Sequence, residues 1–239
     1  MDHQDFLFKN RHAAGELLAE KLHAHAHQPQ TVVLALPRGG VPVGAALAEV
    51  LDLPLDVLVV RKLGLPYHEE CAMGAIASGG QTVFNADVLA LERVSQEEIA
   101  RVITRESGEL QRRELRYRGG RAPHQLEGQQ VILVDDGIAT GSTMQVAIRA
   151  ARAAHASHVT VAVPVLPQSA LSRIKNDADA MVYLAVPSGF YAVGQYYADF
   201  RQTSDEEVIA LLANAAQTTS NRFHLDSSPS GTQGEHRGI

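Results

Sequence analysis

Two adjacent carboxylates, followed by a loop of glycine and hydroxyl residues, form the stretch of the sequence best suited to chemistry. Asp135 and Asp136 directly follow the apolar run 131–134, and the segment 137–143 reads Gly-Ile-Ala-Thr-Gly-Ser-Thr. Glycines let backbone N–H groups approach a ligand closely, and hydroxyl groups at the start of a following helix add donors, so this segment suits an anion. Carboxylates only accept hydrogen bonds, so the pair suits ligand hydroxyls or a phosphate-bound divalent cation. We therefore expect a ligand with a phosphate at one end and a diol or a metal ion at the other.

The stretch from Asp135 to Thr143 closely resembles the phosphoribosyl pyrophosphate signature of type I phosphoribosyltransferases. The resemblance implies that the two acidic residues hold the ribose 2- and 3-hydroxyls and that the loop after them wraps the 5-phosphate. An ordinary strand-loop-helix connection with a polar turn is the alternative, but this pattern behind an apolar strand is far more restrictive than a bare glycine motif. The ribose and 5-phosphate contacts expected from the resemblance are Asp135, Asp136, Gly137, Ile138, Ala139, Thr140, Gly141, Ser142 and Thr143.

Two further strand ends carry positive charge. The predicted strand 31–36 ends before Arg38, Gly39 and Gly40, and the predicted strand 55–60 is followed by Arg61 and Lys62. An arginine and two glycines ahead of a helix favour a polyanion, although a tight turn has the same composition. In the resembling family, the position of Arg38, Gly39 and Gly40 is the pyrophosphate loop. In adenine and orotate phosphoribosyltransferases, a pair similar to Arg61 and Lys62 reaches the pyrophosphate, and a solvated rim of the sheet is the alternative for this pair.

The acceptor site is less defined by the sequence. Phe190 lies in a loop behind a strand end and suits stacking on a flat base, with aromatic packing under the loop as an equal alternative. The resemblance to the base loop of hypoxanthine-guanine phosphoribosyltransferases implies Asp199 as a contact for metal-bound pyrophosphate, with a spacing that differs by about one residue. Glu70 stands where a carboxylate of a mobile flap would meet the base. Ala139 replaces the aspartate of the hypoxanthine-guanine enzymes, as in the adenine and orotate enzymes, which counts against a 6-oxopurine.

The elements that position these residues alternate between strands and helices. We predict an α/β fold with a doubly wound, mainly parallel sheet of about five strands, the type I phosphoribosyltransferase fold. One domain is expected over residues 1–216, with a hairpin and a long helix inserted at 66–128 as a flap or hood. Residues 217–239 are rich in Ser, Thr and Gly and are predicted to form a disordered tail. The predicted strands are 31–36, 55–60, 131–134, 158–165 and 181–186.

Composition excludes several classes of protein. The chain has 239 residues and a net charge of −6, so it can bury a substantial core and does not suit sequence-independent nucleic-acid binding. Cys71 is the only cysteine, which excludes an intramolecular disulfide and fits a reducing compartment. No membrane-spanning apolar run or signal peptide is evident in the sequence. We therefore expect a cytoplasmic protein that binds neither nucleic acid nor membrane, and leave a homo-oligomer open.

The resemblance implies an enzyme of nucleotide salvage. Its substrates would be phosphoribosyl pyrophosphate and a small heterocyclic base, its cofactor Mg²⁺, and its products a nucleotide and pyrophosphate. A regulatory protein that senses phosphoribosyl pyrophosphate or a nucleotide on the same fold, without turnover, is the main alternative. A hydrolytic or phosphate-transferring enzyme that reuses the phosphate loop is a third interpretation. The sequence does not identify the base or the flap residue that acts as acid or base.

Overall fold

A computed structural model describes residues 6–226, with side chains up to residue 218. The strands are β1 Thr31–Ala35, β2 Leu55–Val57, β3 Val60–Leu65, β4 His68–Ala77, β5 Thr82–Phe84, β6 Gln130–Val134, β7 His158–Val165 and β8 Ala180–Ala185. The helices are α1 Arg11–Lys21, α2 Gly40–Leu51, α3 Ala86–Glu92, α4 Gln96–Arg118, α5 Ser142–Ala153, α6 Gln168–Ile174 and α7 Asp205–Asp226.

The main sheet has five strands in the order β2-β1-β6-β7-β8, and every pair of neighbours is parallel. Alternate side chains along each strand enter cores on opposite faces. On one face Leu34 and Leu133 pack with α5, and on the other Val33 and Ile132 pack with α1 and α2. Burial on both faces explains the unbroken apolar runs of these strands. The predicted doubly wound parallel sheet is thus confirmed, and the carboxyl ends of its strands share one edge.

A second sheet, antiparallel, has the order β3-β4-β5 and belongs to the inserted part of the chain. The predicted hairpin is present as β4 and β5, and the predicted long helix is α4, which begins with a capping box formed by Ser95 and Glu98. The predicted single strand 55–60 is wrong in one respect: β2 ends at Val57 in the main sheet, and β3 begins at Val60 in the second sheet. The chain changes sheets because β3 pairs with β4 rather than continuing beside β1.

The last helix, α7, continues beyond the predicted domain end at residue 216. Ser204 caps its start, because the Ser204 hydroxyl accepts a hydrogen bond from the N–H of Glu207. The helix extends to Asp226, into the segment predicted to be a disordered tail, since no glycine or proline interrupts the chain before Pro229. Residues 227–239 of the predicted tail lie outside the described residues. Within residues 6–226, no helix combines the length and apolar character needed to cross a membrane.

Candidate functional site

The acidic pair follows β6 at the carboxyl edge of the main sheet. Asp135 and Asp136 are both partly buried, because the loop at residues 37–40 packs against them. The Oδ1 atom of Asp135 accepts a hydrogen bond from the N–H of Asp136 at 2.9 Å. Its other carboxylate oxygen, Oδ2, receives no hydrogen bond from the described residues. Asp135 therefore keeps one oxygen available for a ligand.

Asp136 is held by residues from both ends of the chain. Nε of Arg11 donates to Oδ2 of Asp136 at 2.8 Å, and the Tyr197 hydroxyl donates to the Asp136 carbonyl oxygen at 2.6 Å. Arg11 also stacks on the ring of Phe200 at 3.8 Å and donates to the carbonyl oxygen of Arg201 at 2.7 Å. The sequence reasoning missed Arg11 and Tyr197. One signal was present: a cation in the first turn of a helix opposes the helix dipole, so Arg11 is placed against its local preference.

Burial makes ionisation of the pair costly. It raises the pKa of Asp135 well above its usual range, and the neighbouring Asp136 carboxylate raises it further. Burial also raises the pKa of Asp136, against the opposing effect of the Arg11 guanidinium. Because the two carboxylates are adjacent, the charge on one affects the ionisation of the other. A ligand that donates two hydrogen bonds to them would compensate part of the cost of burying their charge.

The loop after the pair is open to solvent at the start of α5. Ile138 is buried and its N–H donates to the Val165 carbonyl oxygen at 3.0 Å, which anchors the loop to the sheet edge. Gly141 has φ of 87° just before α5, and an added Cβ would lie 2.9 Å from Cδ1 of Ile174, so only glycine fits there. The first N–H groups of α5 have no partner within the helix and can meet an anion. The exposed residues of the loop are Ala139, Thr140, Ser142 and Thr143.

The second predicted loop lies directly against the acidic pair. An added Cβ on Gly39 would lie 2.1 Å from Oδ2 of Asp136, and one on Gly40 would lie 2.7 Å from the Val134 carbonyl oxygen. The glycines are therefore needed for this close approach. The peptide bond between Pro37 and Arg38 is cis. The Arg38 side chain is half-exposed, with Nη1 4.0 Å from Oδ1 of Asp205 at the start of α7.

The predicted cations Arg61 and Lys62 lie elsewhere than expected. They belong to β3 of the antiparallel sheet, not to the end of a main-sheet strand, because the chain changes sheets at Val60. Nε of Arg61 donates to the nearly buried carboxylate of Glu106 on α4 at 2.9 Å. The Lys62 ammonium donates to the backbone carbonyl oxygen of Glu70. Both cations are already engaged by their own sheet and helix.

Of the two predicted base contacts, Phe190 is packed against other aromatic residues and Glu70 is exposed to solvent. The ring of Phe190 is partly buried and packs on Tyr196, with centroids 5.6 Å apart, so it serves the aromatic cluster beside β8. The next residue, Tyr191, is 92% exposed in the same loop. The Gln195 side chain holds that loop by accepting from the N–H groups of Tyr191 and Ala192, each at 3.2 Å. The Glu70 side chain is 99% exposed on β4.

The predicted metal contact is paired with a cation. The Asp199 carboxylate accepts hydrogen bonds from the Arg201 guanidinium, the shortest at 2.7 Å, and from the Arg201 backbone N–H at 3.2 Å, and these bonds lower the pKa of Asp199. Among residues 6–218, whose side chains the structure describes, no three His, Cys, Asp or Glu side chains converge as a metal site. Mg²⁺ commonly binds through one or two carboxylates together with substrate phosphates and water, so this donor set suits a metal carried mainly by a diphosphate ligand. The Mg²⁺ requirement stays a prediction.

Comparison with known proteins adds independent information. Residues 2–201 match the family model described as the phosphoribosyl transferase domain. The chain is 47% identical over 209 residues to "Putative phosphoribosyl transferase Rv0571c" of Mycobacterium tuberculosis, an alignment that covers 87% of this chain and 47% of that protein. It therefore spans about half the length of that curated relative. The crystal structure of TT1426 from Thermus thermophilus is 42% identical, with a TM-score of 0.75, and the alignment covers 87% of this chain and 98% of that one.

Proposed function

Because the chain belongs to the phosphoribosyltransferase family, we propose that it transfers the 5-phosphoribosyl group of phosphoribosyl pyrophosphate to a nitrogenous base and releases pyrophosphate. One observation carries the proposal. The acidic pair keeps one oxygen of each carboxylate, Oδ2 of Asp135 and Oδ1 of Asp136, without a hydrogen bond from the described residues. These oxygens lie at the strand end that leads into the exposed hydroxyl loop and the start of α5. The arrangement suits a diol joined to a phosphate.

In this mechanism the loop and the pair bind opposite ends of the sugar phosphate. Thr140, Ser142, Thr143 and the first N–H groups of α5 would hold the 5-phosphate, while Asp135 and Asp136 would accept from the ribose hydroxyls. A base nitrogen would attack the anomeric carbon as its bond to the pyrophosphate oxygen breaks, so the electron pair of that bond leaves with pyrophosphate. Positive charge develops on the ribose in the transition state. The ionised acidic pair would stabilise that charge electrostatically.

The pyrophosphate half of the site would use the loop at residues 38–40 and the β3 cations. The close packing of Gly39 on Asp136 supports this position, because it places the loop beside the proposed ribose contact. Arg38 is half-exposed and could turn from Asp205 to the diphosphate. Arg61 and Lys62 would have to leave Glu106 and the Glu70 carbonyl. Mg²⁺, when bound to the diphosphate, would neutralise the leaving group.

The acceptor base is the finer part of the proposal. Ala139 is exposed at the loop position where a carboxylate would serve a 6-oxopurine, so base recognition falls to other residues. The loop that carries Phe190 and Tyr191 and the β4 residue Glu70 are the candidates. We propose an acceptor other than a 6-oxopurine, and a role in nucleotide salvage in the cytoplasm.

The test is base-dependent release of pyrophosphate. The protein is incubated with Mg²⁺ and phosphoribosyl pyrophosphate against a panel of purines, pyrimidines and related heterocycles. Release with one base, accompanied by the matching nucleotide, would establish the transferase and name its acceptor. The matched control is the double variant Asp135→Asn, Asp136→Asn, which we expect to be inactive with the same base. Release that does not require a base would favour a hydrolase.

A sensor without turnover is a second candidate, and one observation favours it. Arg61 and Lys62 are both occupied by protein partners, so the pyrophosphate half is less available than the ribose half. A protein with this distribution could bind the sugar phosphate without promoting departure of pyrophosphate. Tight binding of phosphoribosyl pyrophosphate without release across the whole panel would support the sensor.

A further inference from the structure

Arg11 contacts the acidic pair from a distant part of the sequence. It is the first residue of α1, and its side chain is only 11% exposed. Three contacts hold its guanidinium in place: Nε donates to Asp136, Nη1 donates to the Arg201 carbonyl oxygen, and the plane stacks on Phe200. A guanidinium with this many protein contacts is poorly placed to bind a diphosphate directly. Its hydrogen bond instead fixes the orientation of the Asp136 carboxylate.

The contacts of Asp136 define what Arg11 does. Its N–H donates to Asp135, its carbonyl oxygen accepts from Tyr197, and its Oδ2 accepts from Arg11. Gly39 closes over Oδ2 as well, because an added Cβ there would lie 2.1 Å from this atom but 3.2 Å from Oδ1. Oδ1 is therefore the one polar atom of Asp136 that has no hydrogen bond with another described residue.

We propose that Arg11 is a positioning residue: by holding Oδ2 of Asp136 it turns Oδ1 toward the ribose hydroxyl that this carboxylate accepts. The proposal rests on the proposed function, because it presumes a diol ligand at the acidic pair. The charge of Arg11 acts in the same direction as its geometry, since a cation beside the partly buried pair favours the ionised carboxylate that accepts hydrogen bonds.

Contacts other than those of Arg11 already hold α1 against α2 and the main sheet. Leu18 and Ala19 of α1 are buried in the core with α2 and the main sheet. Gly15 brings α1 so close to α2 that an added Cβ would lie 2.4 Å from the Val43 carbonyl oxygen. The helix therefore stays on the sheet without Arg11. Lys21, on the same helix, provides a matched cation whose ammonium donates to the Tyr183 carbonyl oxygen at 2.9 Å.

The experiment compares two ligands that differ in the diol. Ribose 5-phosphate and methyl phosphate are titrated by NMR chemical shift into wild type, Arg11→Met, Arg11→Lys and Lys21→Met. We expect Arg11→Met to weaken ribose 5-phosphate by about tenfold or more, the range for a bond to a charged group, and to leave methyl phosphate unchanged. Arg11→Lys should recover part of the loss. Lys21→Met should match wild type with both ligands. Phe200→Leu removes the ring on which the guanidinium stacks, a ring that also packs on Tyr197 at 5.0 Å between centroids, and leaves the Arg11 hydrogen bonds in place. It should cause a smaller loss of the same kind, which keeps the test open if Arg11→Met is unstable.

The outcomes separate this inference from the proposed function. If wild type prefers ribose 5-phosphate and Arg11→Met keeps the full preference, the positioning role is wrong while the ribose site stands. Equal weakening of both ligands by Arg11→Met would also overturn it, because the effect would then not depend on the diol. If wild type shows no preference for ribose 5-phosphate over methyl phosphate, the ribose contact of the proposed function fails, and the positioning role fails with it.

Discussion

The acidic pair and the β3 cations are predicted to bind two parts of one substrate, but they differ in whether their polar atoms already have hydrogen-bond partners in the protein. Beside β6, one oxygen of each carboxylate receives no hydrogen bond from the described residues, and the hydroxyl loop is exposed. On β3, Arg61 is bound to the nearly buried Glu106, and Lys62 donates to the Glu70 carbonyl oxygen. The proposed ribose half of the site is therefore preorganised, whereas Arg61 and Lys62 of the proposed diphosphate half would first have to exchange their partners.

The difference follows from how each half is built. The ribose half depends on one strand end and the helix after it, so few conformational changes separate it from a binding state. The diphosphate half combines a loop of the main sheet with a strand of the second sheet and with helix α4. Helix α4 shares one hydrophobic core with β3, β4 and the main-sheet residues Ala35 and Val57. The diphosphate half therefore depends on how the two sheets pack together, whereas the ribose half does not use the second sheet for its polar groups.

Substitution of the two carboxylates is the strongest test of the proposed ribose half. The double variant Asp135→Asn, Asp136→Asn should lose about 3–6 kcal/mol of binding to ribose 5-phosphate, because two bonds to charged groups are replaced. Calorimetric titration measures the loss, and circular dichroism checks that the fold is intact. Asp87→Asn, an exposed residue of α3, is the control and should bind as wild type does. Unchanged affinity in the double variant would contradict the assignment of the ribose site.

Gly39 tests the contact between the two halves. In Gly39→Ala the new methyl group would meet Oδ2 of Asp136 at 2.1 Å, so the loop or the carboxylate must move. We expect a loss of about 1–3 kcal/mol in the free energy of unfolding, together with weaker binding of phosphoribosyl pyrophosphate. Gly108→Ala is the control: it lies in the interior of α4 with open space around it, and should stabilise the protein slightly. Denaturant unfolding that ranks the two variants in the opposite order would overturn the packing argument.

Thr140 tests the phosphate end of the preorganised half. Thr140→Val keeps the shape of the side chain and removes its hydroxyl, so we expect ribose 5-phosphate to bind more weakly by about 1–3 kcal/mol. Calorimetry is the measurement. In the control, Thr104→Val, the lost hydroxyl donates to the Ala100 carbonyl oxygen on an exposed face of α4, and binding should not change. Affinity equal to wild type in Thr140→Val would remove Thr140 from the phosphate site.

The pH dependence of binding follows from the raised pKa of the pair. Asp135 and Asp136 must be ionised to accept from the ribose, and their raised pKa values mean that protonation begins at a higher pH than for an ordinary aspartate. The preference for ribose 5-phosphate over methyl phosphate should therefore fall as the pH is lowered from about 8 to about 5. Taking the ratio of the two affinities removes the titration of the phosphate itself. A ratio that stays flat over this range would show that the pair titrates like exposed carboxylates.

The smallest effect is expected at Lys62. Lys62→Met should weaken phosphoribosyl pyrophosphate by about 0.5–1 kcal/mol and leave ribose 5-phosphate unchanged, because an exposed cation contributes little and only to the diphosphate. Lys21→Met on α1 serves as the control of equal charge. Equal weakening of both ligands would place Lys62 near the ribose half, and no weakening of either would remove it from the site.

The sequence by itself determined the parallel sheet, the acidic pair and the hydroxyl loop. Each is encoded in a short continuous stretch: an apolar run buried on both faces specifies a central strand, and the residues after it specify what the strand end carries. The hairpin and the capping box of α4 are local in the same way, and both are present. Local patterns of this kind leave little choice of structure.

Only the tertiary structure decided the partners of those residues. Arg11 and Tyr197 bind Asp136 from the two ends of the chain, and Phe200 stacks on Arg11. No local pattern links these residues to the acidic pair. The change of sheet at Val60 likewise depends on pairing between β3 and β4. Because of it, Arg61 forms an ion pair with Glu106 and does not lie at the end of a main-sheet strand, as the sequence had predicted. Pairing between side chains that are far apart in the sequence depends on how the elements pack. Residue types and their local spacing do not specify that packing.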